Sequence, residues 1–302
     1  GDNFHFDYVK CWCHGSAGAT GHFNRFGCRW KSCSFCNDGC DLYYSESGAG
    51  LPVIALAGLT RNGADFDHVA PHLPVRLIRP DYRGRGQSAW ADPSTYSIPQ
   101  EAADILSLMD HLGLEKAAIL GTSRGGLIAM VLAAVSKERL IGVALNDIGP
   151  EIADKGIDVI KNYIGHNPDE KTYAEAAATR AKISTDFEGV PMDRWLAEVK
   201  ARYSTTPDGL IIRYDPKLRD AVLAAAEQPA LDLWPLFDEF SDLPLALIRG
   251  ANSNLLTVET ADEMARRRPD LIRADVPGRG HVPFLDEPEA RAALDKWLEK
   301  MQ

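Results

Sequence analysis

The chain has 302 residues, of which 45% are hydrophobic and 25% charged, with 43 acidic side chains against 33 basic for a formal charge of −10. This excludes a disordered, collagen-like or small disulfide-framework protein, and the acidic balance excludes a nucleic-acid binder, which needs a clustered Lys/Arg surface. The stretch free of Asp, Glu, Lys and Arg from Ser47 to Thr60, which no other exceeds in length, is broken by Gly48, Gly50, Pro52 and Gly58, so the sequence predicts no membrane span. In chain order, residues 1–40 come first and differ from the rest. They hold all six cysteines (Cys11, Cys13, Cys28, Cys33, Cys36, Cys40) and no Leu, Ile or Met. Three readings are open for them: three disulfides, a zinc site built on Cys33-x-x-Cys36 with Cys28, Cys40 or His22, or a segment foreign to the remainder of the chain. No apolar signal run stands ahead of them, so a cytoplasmic location is the expectation.

From residue 41 onward short apolar runs alternate with amphipathic segments, the pattern of a mostly parallel sheet with helices on both faces. The runs are 51–58, 75–80, 117–121, 141–147, 243–250 and 271–276. Each is almost continuously apolar, as strands covered on both faces are. Between the second and third, Ser97-Ile98-Pro99 offers an N-cap with an early proline, and Ala102, Ile105, Leu106, Met109 and Leu112 repeat at helical spacing up to Gly113. Residues 148–242 contain no comparable strand run; their length is implausible for a loop and predicts a helical cap inserted into a core formed by 41–147 and 243–302. The cap aromatics, Trp195 and Trp234 among them, either line a substrate pocket or form the cap's own small core.

The third run leads into Gly121-Thr122-Ser123-Arg124-Gly125-Gly126 and then an apolar helix. This is G-x-S-x-G in its strand, tight turn, helix context, which presents the Ser123 hydroxyl at the carboxyl edge of the sheet as a candidate nucleophile. Serine needs a base to take its proton, and only His166 and His281 follow it. His281, in Pro277-Gly278-Arg279-Gly280-His281, follows the last strand run and is the candidate; His166 lies in the predicted cap beside Asn167-Pro168. Backbone donors for a developing oxyanion are expected from the N–H of Arg124 and from the N–H of Leu59 in the loop that follows Gly58.

These segments, with Asp81-Tyr82-Arg83-Gly84-Arg85-Gly86 and Leu145-Asn146-Asp147-Ile148-Gly149-Pro150, make residues 41–302 resemble the α/β-hydrolase fold superfamily. The chain is similar in kind to small bacterial enol-lactonases, C–C bond hydrolases of aromatic degradation and (acetamidomethylene)succinate hydrolase. The resemblance implies a cofactor-independent serine hydrolase of a small ester, lactone or amide, with no cofactor and no metal. A C–C hydrolase using the same residues, or a non-catalytic ligand-binding relative, are the alternatives. In many such enzymes the acid that orients histidine follows the strand after the cap, where this chain has Asn254 in Arg249-Gly250-Ala251-Asn252-Ser253-Asn254. Asn254 therefore stands beside Asp147, at the end of the strand after the serine helix, as the residue that orients His281. Arg61, with Arg83, Arg85 and Arg124, falls in the loops expected at the sheet edge and is a candidate for contact with a carboxylate-bearing substrate; Arg83 and Arg85 serve as well as internal ties to acidic neighbours. The expected partner is a small molecule, with neither nucleic acid nor membrane, and the chain is expected to act as a monomer or homodimer.

Overall fold

The computed structural model describes residues 20–23 and 29–302, with side chains from Cys33 onward. The N-terminal hairpin is β1 (Thr20–Phe23) and β2 (Arg29–Asn37), followed by β3 (Cys40–Ser47), β4 (Pro52–Leu56) and β5 (Arg76–Pro80). Then come α1 (Ile98–His111), β6 (Ala117–Thr122), α2 (Arg124–Ser136) and β7 (Leu140–Asn146). The insertion contributes α3 (Asp154–Tyr163), α4 (Tyr173–Ile183), α5 (Met192–Arg202), the hairpin β8 (Tyr203–Thr206) and β9 (Gly209–Ile212), α6 (Leu218–Ala226) and α7 (Trp234–Asp238). The chain closes with β10 (Leu245–Gly250), α8 (Val258–Arg267), β11 (Ile272–Val276) and α9 (Pro288–Glu299).

Among the described residues, nine strands form one sheet in the order β1-β2-β3-β5-β4-β6-β7-β10-β11. The six apolar runs are its six mutually parallel strands, β5-β4-β6-β7-β10-β11, and β1 to β3 pair antiparallel at one edge. Alternation along these strands separates two cores. Ile54, Ile78, Ile119, Val143 and Leu247 face α1, α2, α7 and α8, whereas Val53, Leu77, Leu120, Ala144 and Ile248 face α9 and the turn holding Phe66 and Val69. Helices on both faces are what continuously apolar strands require. The helix α1 begins where the sequence expects it: Ser97 Oγ accepts from the Gln100 N–H at 3.3 Å, and Gly113, at φ 64°, ends it in the left-handed region.

The compositional boundary at residue 40 falls inside a hairpin rather than between two units. β2 pairs with β3 from Lys31 opposite Glu46 to Asn37 opposite Cys40, Phe35 and Cys40 are buried in the α1-side core, and Asn37 donates to Asp104 of α1 at 2.7 Å. The readings for Cys11, Cys13 and Cys28 fall outside the described residues. Among the described residues no group of three or more His, Cys, Asp or Glu is placed to hold a metal ion, and no helix is long and apolar enough to cross a membrane.

The insertion has a core of its own in Ala176, Ala177, Trp195, Val199 and Leu210, separate from the two sheet cores. Its last part does not share it. Phe237 and Phe240, fully buried, pack with α2 and α8 under the sheet, so the structural return to the sheet begins near Trp234 rather than at residue 243. The cause is apolar burial: Phe237 in α7 and Phe240 just past its end fill the sheet core instead of continuing the insertion.

Candidate active site

Ser123 stands between β6 and α2 with φ 50° and ψ −115°, an unusual conformation for a residue with a side chain. The neighbouring glycines make room for it. A Cβ on Gly121 would come within 2.6 Å of the Gly125 backbone, and one on Gly125 within 2.3 Å of Leu56 O, so strand, turn and helix close on each other only without those side chains. The turn is fixed by Ser123 N–H donating to Asn146 O at 3.0 Å and Gly126 N–H donating to Ser123 O at 2.8 Å.

His281 follows β11 in a loop tied to the insertion. Glu188 N–H donates to Gly278 O at 2.9 Å, and Arg279 donates to Glu188 O at 2.8 Å. Its imidazole Nε2 lies 3.0 Å from Ser123 Oγ, and its Nδ1 lies 2.7 Å from Asp147 Oδ2. Asp147, fully buried at the end of β7, also accepts from Gly250 N–H at 2.7 Å through Oδ1 and from Ser253 Oγ at 2.6 Å through Oδ2. A hydroxyl, an imidazole and a carboxylate are thereby in line. The carboxylate fixes the tautomer that carries its proton on Nδ1 and leaves Nε2 free to accept from serine.

Asn254 takes no part in this line. It is exposed, and among the described residues it has no hydrogen bond to His281. The physical reason is that Asp147 already fills the space beside Nδ1, and the loop after β10 supplies it with the Ser253 hydroxyl and the Gly250 N–H instead. Ser253 and Gly250 are the participants that sequence reasoning missed. The available signal was a hydroxyl one residue before Asn254 in a loop bound for the same sheet edge.

The N–H groups of Leu59 and Arg124 enter none of the turn, loop or cap hydrogen bonds among the described residues. Both residues are anchored behind by one buried ion group. Arg85 Nε donates to Leu59 O at 2.9 Å, Arg85 Nη1 to Glu101 Oε1 at 2.7 Å, and Arg124 Nε to Glu101 Oε2 at 2.6 Å. Burial alone pushes the Glu101 carboxyl up, but Arg124 and Arg85 outweigh it and hold it below its ordinary value. Arg83 is likewise an internal tie, donating twice to Asp104 at 2.7 Å. Asp81 braces the same loops by accepting from Gly63 N–H at 2.8 Å and Gln87 N–H at 2.9 Å; burial pushes its carboxyl up to about 6 against the pull of those two donors.

The remaining candidates divide. Arg61 donates to Asp65 and Glu198, with Nη2 3.0 Å from Glu198 Oε2. Trp195 is buried edge-on to Phe187 and Phe284 in the insertion's core. Trp234 is a correction. Its indole donates to Glu151 at 2.7 Å and its ring packs on Phe237 under the Arg267 guanidinium, so it serves the α2 and α8 layer, and among the described residues it has no hydrogen bond or ring contact with Ser123, His281 or Asp147.

Residues 53–294 match the model of the alpha/beta hydrolase family, and the chain belongs to that family. It is 36% identical to the 3-hydroxybutyrate-oligomer hydrolase of Cupriavidus necator over 249 residues, 78% of this chain and 84% of that one. It is 27% identical to the 2-(acetamidomethylene)succinate hydrolase of Mesorhizobium japonicum, covering 82% of this chain and 87% of that one. Among solved structures, an alpha/beta hydrolase from Novosphingobium aromaticivorans superposes with a TM-score of 0.82 at 35% identity, covering 90% of this chain and 98% of that chain. The protein is a hydrolase of this family.

Proposed function

We propose that the protein is a serine hydrolase of small carboxylic esters that works through an acyl-enzyme. The observation that carries this reading is the continuous line from Ser123 Oγ to His281 Nε2 at 3.0 Å and from His281 Nδ1 to Asp147 Oδ2 at 2.7 Å. Ser123 attacks the ester carbonyl as His281 takes its proton, and Asp147 stabilises the imidazolium that forms. The Leu59 and Arg124 N–H groups receive the oxyanion, held in position by the Arg85, Glu101 and Arg124 ion group behind them. His281 returns the proton to the leaving alcohol, then activates the water that cleaves the acyl-enzyme. The insertion between β7 and β10 acts as a cap, contributing the wall that carries Glu198 and Trp195. The hydrolase names of the two curated relatives support the class of reaction.

The reading is tested with p-nitrophenyl acetate and butyrate against wild type and Ser123→Ala. Turnover that disappears in the variant is expected. Turnover that survives it at the wild-type rate refutes the assignment.

A further inference from the structure

Three arginines converge beside the Gly58 loop. Arg61 stands three residues after Gly58, Arg180 is in the last turn of α4, and Arg202 ends α5. Their neighbourhood is fixed by contacts: Asn62 Nδ2 donates to Ala201 O at 2.9 Å, and Arg61 reaches Glu198, one helical turn before Arg202, while α4 packs along α5. The group also begins next to Ser123. A Cβ on Gly58 would lie 3.4 Å from Arg61 Cγ and 3.9 Å from Ser123 Cβ.

The charges do not balance. Asp65 and Glu198 both pair with Arg61, and among the described residues neither Arg180 nor Arg202 forms an ion pair or donates a side-chain hydrogen bond. Nε of Arg180, Nε of Arg202 and Nη1 of Arg61 are buried with no hydrogen-bond partner there. Three cations against two carboxylates leave one positive charge uncompensated. Burial and the charge of Arg61 pull Arg180 below its ordinary value, and burial with the charges of Arg61 and Arg180 pulls Arg202 down to about 10. What sets Arg180 and Arg202 apart is the lack of any carboxylate of their own: Arg83 has Asp104, and Arg85 and Arg124 share Glu101, although Arg85 Nη2 is also buried without a hydrogen-bond partner among the described residues. Unpartnered buried guanidinium donors are satisfied when a planar carboxylate enters and accepts from them.

We propose that Arg61, Arg180 and Arg202 form an anion subsite for a carboxylate of the substrate, so that the preferred esters carry a free carboxylate on the short chain attached to the scissile carbonyl. This rests on the serine-hydrolase reading and narrows it to a substrate class. Arg61 is the fixed member, held by Asp65 and Glu198; Arg180 and Arg202 supply the free donors.

The test compares kcat/KM for mono-p-nitrophenyl glutarate with that for p-nitrophenyl valerate, as a ratio that is insensitive to the fraction of folded enzyme. Wild type is expected to favour the anionic ester at least about tenfold. Arg180→Gln and Arg202→Gln each lower the ratio about 10- to 100-fold, the worth of a charge-assisted hydrogen bond. Glu198→Gln, which removes a competing carboxylate, raises it. A wild-type ratio near one, or a ratio unmoved by both arginine substitutions, overturns the proposal. Glutarate binding to Ser123→Ala, followed by calorimetry, gives a readout independent of turnover. Binding that weakens in Ser123→Ala combined with Arg202→Gln supports the subsite, and no binding in Ser123→Ala overturns it. Absence of turnover on both esters defeats the hydrolase reading alone, because glutarate binding still decides the subsite.

Discussion

Replacing Asp147 by asparagine is expected to remove most turnover while leaving the fold in place. The magnitude follows from what surrounds the carboxylate. Oδ1 accepts from Gly250 N–H, and Oδ2 accepts from Ser253 and faces His281 Nδ1. If the new amide oxygen stays with Gly250, its NH2 faces His281, which must then accept at Nδ1 and carry its proton on Nε2, pointing at Ser123. That tautomer cannot act as base, and the corresponding change in a serine protease, the worked case for this effect, lowers kcat about 10⁴-fold. If the amide flips, its NH2 opposes the Gly250 N–H in a fully buried site, a donor-donor conflict costing about 1–3 kcal/mol, which holds the productive arrangement to roughly 1–10%. Even then the imidazolium lacks its counter-charge. The expected loss is therefore about 10³- to 10⁴-fold in kcat with KM changed little, measured on p-nitrophenyl butyrate with circular dichroism to check the fold. Asn254→Ala, at an exposed position, is expected to stay within about twofold. Asp147→Asn retaining more than a tenth of wild-type kcat would refute the reasoning.

Other consequences are open to measurement. Glu101→Gln leaves two buried guanidinium groups facing a neutral amide; urea unfolding is expected to show a loss of about 3–5 kcal/mol, with kcat reduced because Leu59 and Arg124 lose their common anchor. Gly125→Ala places a Cβ 2.3 Å from Leu56 O, so a loss of about 1–3 kcal/mol and of turnover is expected; wild-type stability would contradict the packing described for the serine turn. Asp81 has a folded value of about 6 against an ordinary 3.8, so its contribution to stability is full below the lower value and is lost as pH rises through the upper one. A carbon-detected NMR titration of its carboxyl is expected to show a midpoint near 6, and a midpoint near 4 contradicts the burial argument.

The parallel half of the sheet was legible because strands covered on both faces must be apolar almost throughout, and six such runs stand out between residues 51 and 276. The antiparallel edge was not. β3, Cys40–Ser47, buries Cys40, Leu42, Tyr44 and Ser45, a set too mixed to register as an apolar run, and the leucine-free composition of the first 40 residues masked β2 beside it. The β8 and β9 hairpin, four residues in each strand, is too short for periodicity to separate from a loop. At the site, Ser123 and His281 were legible because a glycine-rich turn and a post-strand loop mark them locally. The choice between Asp147 and Asn254 depends on which loop reaches Nδ1, a tertiary fact with no local signature. Trp234 misled for a similar reason: an aromatic in an insertion reads as pocket lining, whereas the adjacent Phe237 drew it under the sheet.

The central claim is that Ser123 is an activated nucleophile. It is tested most directly by incubating the folded protein with a fluorophosphonate and locating the adduct by peptide mass spectrometry. One adduct per chain on Ser123 is expected, forming with a rate that falls steeply in Asp147→Asn. An unlabelled Ser123 in folded protein, or an adduct elsewhere with esterase activity intact in Ser123→Ala, contradicts the account.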